Sequence, residues 1–218
     1  MKGDLLRAKL LSARIIPRAD EALRAQLGLQ EGERSLALIT CDSDDVGYTA
    51  LDEATKAACV RVCYAQSMYA GAANMNTALA GEFLGILAGP TPAEVRSALQ
   101  AARACIEQGP AFVSANDGDT VVYYAHTIAR TGSYLSALCG LSEGAPLAYL
   151  IAPPLESIVG LDAALKAAGV RMAQFYGPPS PTNFGGALLT GPMADCLAAC
   201  RAFAEAVERV AARPIEEA

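Results

Sequence analysis

Leu51–Val62 reads LDEATKAACVRV, and Leu161–Met172 reads LDAALKAAGVRM. Eight of the twelve positions are identical, at an offset of 110. Further pairs follow in the same order. EALRAQLGL (Glu21–Leu29) matches SYLSALCGL (Ser133–Leu141) at 112, and SLALIT (Ser35–Thr40) matches PLAYLI (Pro146–Ile151) at 111. FLGILAGP (Phe83–Pro90) matches GGALLTGP (Gly185–Pro192) at 102. The offset only falls, so both copies keep one order of elements. Its largest drop lies between Val62 and Phe83, where the first copy carries the longer loop. A period near 110 residues is too long for a solenoid repeat, so it predicts two tandem domains of one fold, residues 1–108 and 109–218.

Composition agrees. A chain of 218 residues holds two domains of ordinary size, and 53% hydrophobic content suffices for two cores. Trp is absent and aromatics are 6%, so those cores rest on Ala, Leu, Val and Ile. A net charge of −6 opposes binding to nucleic acid or to an anionic lipid surface. The start, MKGDLLRAKLL, breaks its apolar run with charges and does not read as a secretory signal. No stretch has the ~18 to 20 apolar residues of a membrane helix. Seven cysteines form no C-x-x-C pair, which opposes a zinc site or disulfide framework. Cys59, Cys63, Cys105, Cys139, Cys196 and Cys200 stand among apolar residues and read as small core side chains.

Copy one predicts an α+β unit of about four strands and three helices. Leu10–Ile16 is a strand closed by Pro17, and Asp20–Leu27 is helical with Gly28 as its cap. Ser35–Thr40 is a strand and Asp42–Thr49 a polar turn. Leu51–Val60 is a helix, Arg61–Tyr64 a strand and Gln66–Ala80 a loop of small residues. Glu82–Leu87 is a buried-type strand ending at Gly89-Pro90. Thr91 caps a helix with Pro92 first and Glu94 third, running to Ile106. Gly109-Pro110 marks the boundary. No Gly-rich phosphate loop occurs.

The chain resembles the shell proteins of bacterial microcompartments. Copy two carries the pattern Leu161, Asp162, Ala163, Ala164, Lys166, Ala167, Ala168, Val170, then Thr190-Gly191-Pro192. Copy one carries Leu51, Asp52, Ala54, Lys56, Ala57, Ala58, Val60, then Ala88-Gly89-Pro90. A strand and helix precede this block in each copy, which is the circularly permuted arrangement. DSDDVGYTALDEATK (Asp42–Lys56), YAGAA (Tyr69–Ala73), ARTGSYLS (Ala129–Ser136), APPLE (Ala152–Glu156) and PPSPTNF (Pro178–Phe184) narrow the likeness to the tandem L-type branch of the ethanolamine-utilisation compartment. The resemblance implies two permuted ferredoxin-like α/β sandwich domains per chain and a homotrimer with pseudo-sixfold symmetry. It implies a structural tile rather than an enzyme, packed against neighbouring shell proteins in a cytoplasmic microcompartment. It also implies a gated pore for ethanolamine or a similar small metabolite, and no cofactor.

Read on its own, Asp42-x-Asp44-Asp45 is a solvated acidic turn. It also nearly fits a calcium loop with Glu53 twelfth, but Val46 stands where an oxygen ligand is needed. The resemblance instead puts Asp44, Asp45 and Glu82 at the acidic mouth of a small pore. Carboxylates suit ethanolamine, which is an ammonium at neutral pH. Phe112 and Thr182 match further pore positions, where an aromatic face and a hydroxyl suit the same ligand. The loops Met68–Gly81 and Tyr176–Gly186 become candidate gates, and Lys56 and Lys166 candidate tile-edge contacts. Catalysis would need His126, yet it stands in the strand-like VVYYAHTIA and matches Arg14 of copy one. A ligand-binding sensor without shell assembly is the alternative, and microscopy of overexpressed protein separates the two, since only a shell protein forms sheets.

Overall fold

Leu36–Cys41 is a nearly continuous apolar run of strand length, flanked downstream by apolar residues at helical spacing, Val46, Ala50, Leu51 and Ala54. A buried strand followed by an amphipathic helix lays that helix on a sheet. The computed structural model describes residues 1–69 and 79–215. The chain divides into two compact units. Arg7–Pro110 with Gly132–Leu135 form one; Met1–Leu6, Ala111–Thr131 and Ser136 onward form the other.

The strand β1 (Leu5–Leu6) belongs to the second of these. The Arg7–Pro110 unit runs β2 (Leu10–Ile16), α1 (Glu21–Gln26), β3 (Ser35–Cys41), α2 (Asp44–Ala57), β4 (Arg61–Ser67), β5 (Phe83–Gly89) and α3 (Pro92–Gln108). Its antiparallel sheet has the order β2-β3-β5-β4, with Ser35 opposite Gly89 and Cys41 opposite Phe83. Leu36, Ile86 and Ala88 gather with Ala19 in one cluster, against which Ile16, Leu27 and Leu29 pack. Helices α2 and α3 pack on each other and on the sheet, burying Val46, Leu51 and Ala54 with Val95, Ala98 and Ala102. The start of α3 follows its sequence signals: Thr91 Oγ1 accepts from Glu94 N at 3.2 Å, with Pro92 in the first turn.

The second unit continues with β6 (Phe112–Ser114), β7 (Val122–Ile128), the part of α4 (Ser133–Cys139) from Ser136 onward, β8 (Leu147–Ala152), α5 (Pro154–Ala167), β9 (Arg171–Tyr176), β10 (Gly185–Thr190) and α6 (Met193–Ala212). Its order β7-β8-β10-β9 repeats that of the other sheet, with β6 and β1 added beyond β7. Leu150, Ala187 and Leu189 of the sheet meet Leu161, Ala164, Cys196, Ala199 and Phe203 of α5 and α6. Among the described residues no helix is long and apolar enough to cross a membrane.

Three details differ from the sequence reading. The expected turn Asp42–Thr49 is instead the start of α2, which begins at Asp44. Acidic residues are favoured in the first turn of a helix, where they meet the positive end of its dipole, and Val46 and Ala50 extend the apolar stripe of Leu51 and Ala54 backwards. This helix also replaces the loop a calcium site would need. Second, β1 and β6 are strands too short to register as a period. Third, Cys59 is exposed and Cys63 half-buried rather than core, whereas Cys41, Cys105, Cys139, Cys196 and Cys200 are buried.

Candidate functional site

Cys41 ends β3 and Asp44 starts α2, so only two residues separate strand from helix. This tight connection holds Asp44 and Asp45 at the sheet end, 7% and 6% exposed. Glu82 immediately precedes β5, and its backbone is fixed on both sides. Glu82 N donates to Cys41 O at 3.0 Å, and Glu82 O accepts from Met68 N at 2.9 Å. The paired strands therefore bring Glu82 beside the start of α2. Partial burial raises the Glu82 carboxyl above its ordinary value, and the charges of Asp44 and Asp42 raise it further. The same three acids add to the burial that pushes the Cys41 thiol up to about 12. Asp45 lies close enough to Tyr48, with Asp44, to help hold that phenol protonated, although desolvation is the larger cause. Asp42 is exposed, and its Oδ1 accepts from Lys9 N at 2.6 Å.

Phe112 and Thr182 lie in the other unit. The half-buried Phe112 ring, on β6, sits 5.3 Å from the Tyr124 ring and 5.6 Å, edge-on, from that of Phe184. Thr182 is buried in the turn that carries Phe184. Ser180 organises this turn: its Oγ lies 3.1 Å from Thr182 Oγ1 and accepts from Phe184 N at 3.3 Å, while Ser180 N donates to Phe184 O at 2.7 Å. The five expected pore residues thus form two groups, three acids in one unit and an aromatic with a hydroxyl in the other. The expected gate Tyr176–Gly186 is this pinned turn. Residues 70–78 of the other expected gate, Met68–Gly81, lie outside the described residues.

The two lysines differ. Lys56 is mostly covered, pairs with Glu53, and lies 3.4 Å from Asp52 Oδ2. Lys166 is 75% exposed and pairs with Asp162 at 2.6 Å. His126 is a β7 residue opposite Tyr149, as Arg14 is opposite Leu38 in the other sheet. Burial pushes the thiols of Cys105 up to about 12 and of Cys63 and Cys200 up to about 11. Such thiols stay protonated at neutral pH and are poor nucleophiles.

Sequence reasoning missed one constellation. Asp52, fully buried on α2, accepts from Gly132 N at 2.7 Å and from Leu135 N at 2.9 Å. Thr55 Oγ1 accepts from Ser133 N at 3.1 Å, and the rings of Tyr48 and Tyr134 stack at 6.4 Å. Its one sequence signal is Gly132 at the cap of α4, where the first copy has Asp20, which caps α1 with its own side chain.

The family profile described as the BMC domain matches residues 35–117. The bacterial microcompartment shell protein EutL of Clostridium perfringens (strain 13 / Type A) is 59% identical over 215 residues, covering 99% of each chain. EutL of Escherichia coli (strain K12) is 50% identical over 99% of this chain and 98% of its own. The crystal structure of ethanolamine utilization protein EutL from Leptotrichia buccalis C-1013-b superposes with a TM-score of 0.97 at 59% identity, covering 100% of both chains.

Proposed function

Since the chain belongs to the EutL family of bacterial microcompartment shell proteins, which are structural and not enzymes, we propose that it forms a trimeric tile whose pore admits ethanolamine or a similar small ammonium. Six similar domains fill a pseudo-sixfold hexagon when three chains meet. The observation that carries the pore reading is the group of Asp44, Asp45 and Glu82 at one sheet end. Burying carboxylates together is unfavourable, and a cation relieves that cost. The family likeness also assigns Phe112 and Thr182, of the other unit, to ligand contact, through an aromatic face and a hydroxyl. The loops Met68–Gly81 and Tyr176–Gly186 are the gates, and Asp44, Asp45 and Glu82 the selective mouth.

Ethanolamine binding is expected to be weak, roughly millimolar, because passage requires release as well as capture. Asp45→Asn with Glu82→Gln should lower affinity roughly tenfold, each carboxylate supplying a charge-assisted hydrogen bond that water partly screens. Glu82 also sets a pH dependence. Its pKa is raised in the folded state, so ionising it costs folded stability as pH rises through that value. Cation capture needs the ionised form, so affinity should fall, as pH drops, sooner than an unperturbed glutamate would dictate. Calorimetry at neutral and mildly acidic pH reads both effects. Unchanged affinity in the double variant would reduce the acids to a structural turn.

Tiling has a separate test. Lys166→Glu should abolish extended sheets while keeping the trimer's mass, since one reversed charge recurs at every tile contact. Lys56 is the poorer probe, because its ammonium also serves the buried Asp52. Extended sheets of Lys166→Glu under the microscope would remove this lysine from the tile edge.

A further inference from the structure

The two copies share a fold but not the residues at one end of it. At an offset of 110, Asp44, Asp45, Tyr48 and Ser67 correspond to Pro154, Leu155, Ile158 and Gly177, and at 102 Glu82 corresponds to Phe184. Every side chain of the first set can hydrogen-bond, and none of the second can. Yet α5 starts at the position where α2 does, and β9 pairs with β10 as β4 pairs with β5. The fold therefore does not require the polar set. Tyr48 and Ser67 belong to that set, and their polar groups have no place in the acidic cluster of Asp44, Asp45 and Glu82.

Tyr48 stands one helical turn beyond Asp44 on α2. Packing accounts for its ring, which lies edge-on to Phe83 at 4.9 Å and stacked on Tyr134 at 6.4 Å. Packing does not account for its hydroxyl. Tyr48 Oη lies 2.8 Å from Ser67 Oγ, and either oxygen can donate. Ser67 ends β4, and the next residue, Met68, donates its N–H to Glu82 O at 2.9 Å. Ser67 also stands opposite Phe83 across the β4-β5 ladder. Phe83, the residue after Glu82, is fully buried and rests on Gly47, where its ring leaves no room for a Cβ. Tyr48 thus holds the surroundings of Glu82 from two sides, Phe83 through its ring and the end of β4 through its hydroxyl. Both contacts start from α2, the helix that carries Asp44 and Asp45.

We infer that Tyr48 is a positioning residue for ammonium capture: its bond to Ser67 fixes the strand ends so that Glu82 stays beside Asp44 and Asp45. Neighbouring carboxylates repel one another and gain by moving apart into water, so the cluster needs a tie that keeps a spacing one small ammonium can bridge. A neutral hydroxyl pair suits that task. A cation in its place would compete with the ligand for the carboxylates, and another acid would drive them further apart. Tyr48 acts through Glu82 rather than on the ligand. The inference rests on the pore reading and adds to it the residues that hold the acids in place.

The test is calorimetry of ethanolamine binding to the full chain, from neutral to mildly acidic pH, with Tyr48→Phe, which keeps the ring, with Ser67→Ala, and with the two together. Each single variant should lose affinity roughly fivefold, about the effect of one neutral hydrogen bond, with little change in thermal midpoint. The pair should lose no more than either alone, because one and the same bond is removed in all three. Ser67→Thr, which keeps a hydroxyl, should recover most of the affinity. The pH at which binding fails should also fall in the single variants, since a released Glu82 leaves the burial and the charges of Asp44 and Asp42 that raise its carboxyl. Wild-type affinity and pH profile in both single variants, with Asp45→Asn, Glu82→Gln still weakened, overturns the inference and spares the acidic cluster as the ligand site. Losses that add in the pair overturn it as well, because the two hydroxyls then act separately. Unweakened binding by Asp45→Asn, Glu82→Gln ends both.

Discussion

Gly186→Val should unfold the second unit or cost it at least ~4 kcal/mol, among the largest effects of any single substitution. Gly186 lies in β10, between β8 and β9, opposite Ile151 and Tyr176. A Cβ there would lie 1.9 Å from the carbonyl oxygen of Leu150 and 2.8 Å from Ile151 Cδ1. A flexible side chain could swing aside, but the Leu150 carbonyl belongs to a paired strand and cannot move without breaking the ladder. Overpacking a close-packed interior usually costs ~1 to 3 kcal/mol, and lost strand pairing adds to that here. Gly118→Ala is the control, because its Cβ meets nothing nearer than Thr120 Cγ2 at 3.6 Å. Its urea midpoint should stay within ~0.5 kcal/mol of wild type. If Gly186→Val melts with the wild type, the spacing of β8 and β10 is not the one described.

Asp52→Ala should cost ~2 to 4 kcal/mol, while Asp162→Ala costs under ~0.5 kcal/mol in the dissociated chain. The aspartates occupy the same position of the repeat, so the difference isolates what surrounds them. Asp52 takes two backbone N–H groups, from Gly132 and Leu135, on its two oxygens. Without it these buried donors are orphaned and the 132–135 segment loses its anchor. Asp52→Asn should be nearly as harmful, because an amide offers one acceptor oxygen and turns a donor toward the other N–H. Asp162 makes an exposed pair with Lys166, and such pairs contribute little. Equal losses at both positions in urea denaturation would refute this account of how the 132–135 segment is held.

The acidic cluster was partly legible. Asp44, Asp45 and Glu82 were found through likeness to a family, and the chain does bring Glu82 to the start of α2. Their local structure was misread because Asp, Ser and Gly signal turns as readily as helix starts. Whether Asp42–Thr49 coils into α2 depends on Val46 finding the core, which no short window contains. The burial that raises the Glu82 carboxyl likewise has no local signature.

The sequence by itself determined the repeat and the order of strands and helices that the two copies share. Those follow from identity and period, which act over a dozen residues at most. Only the tertiary structure decided that Asp52 is buried and Asp162 bare, though both stand in the pattern LDxAxKAA. Their neighbours along the chain are nearly the same, and the partners that separate them, Gly132 and Leu135, lie 80 and 83 residues away from Asp52. Burial and hydrogen bonding are set by what packs across the fold, and a repeated sequence acquires different environments wherever one copy finds its partner in the same chain and the other does not.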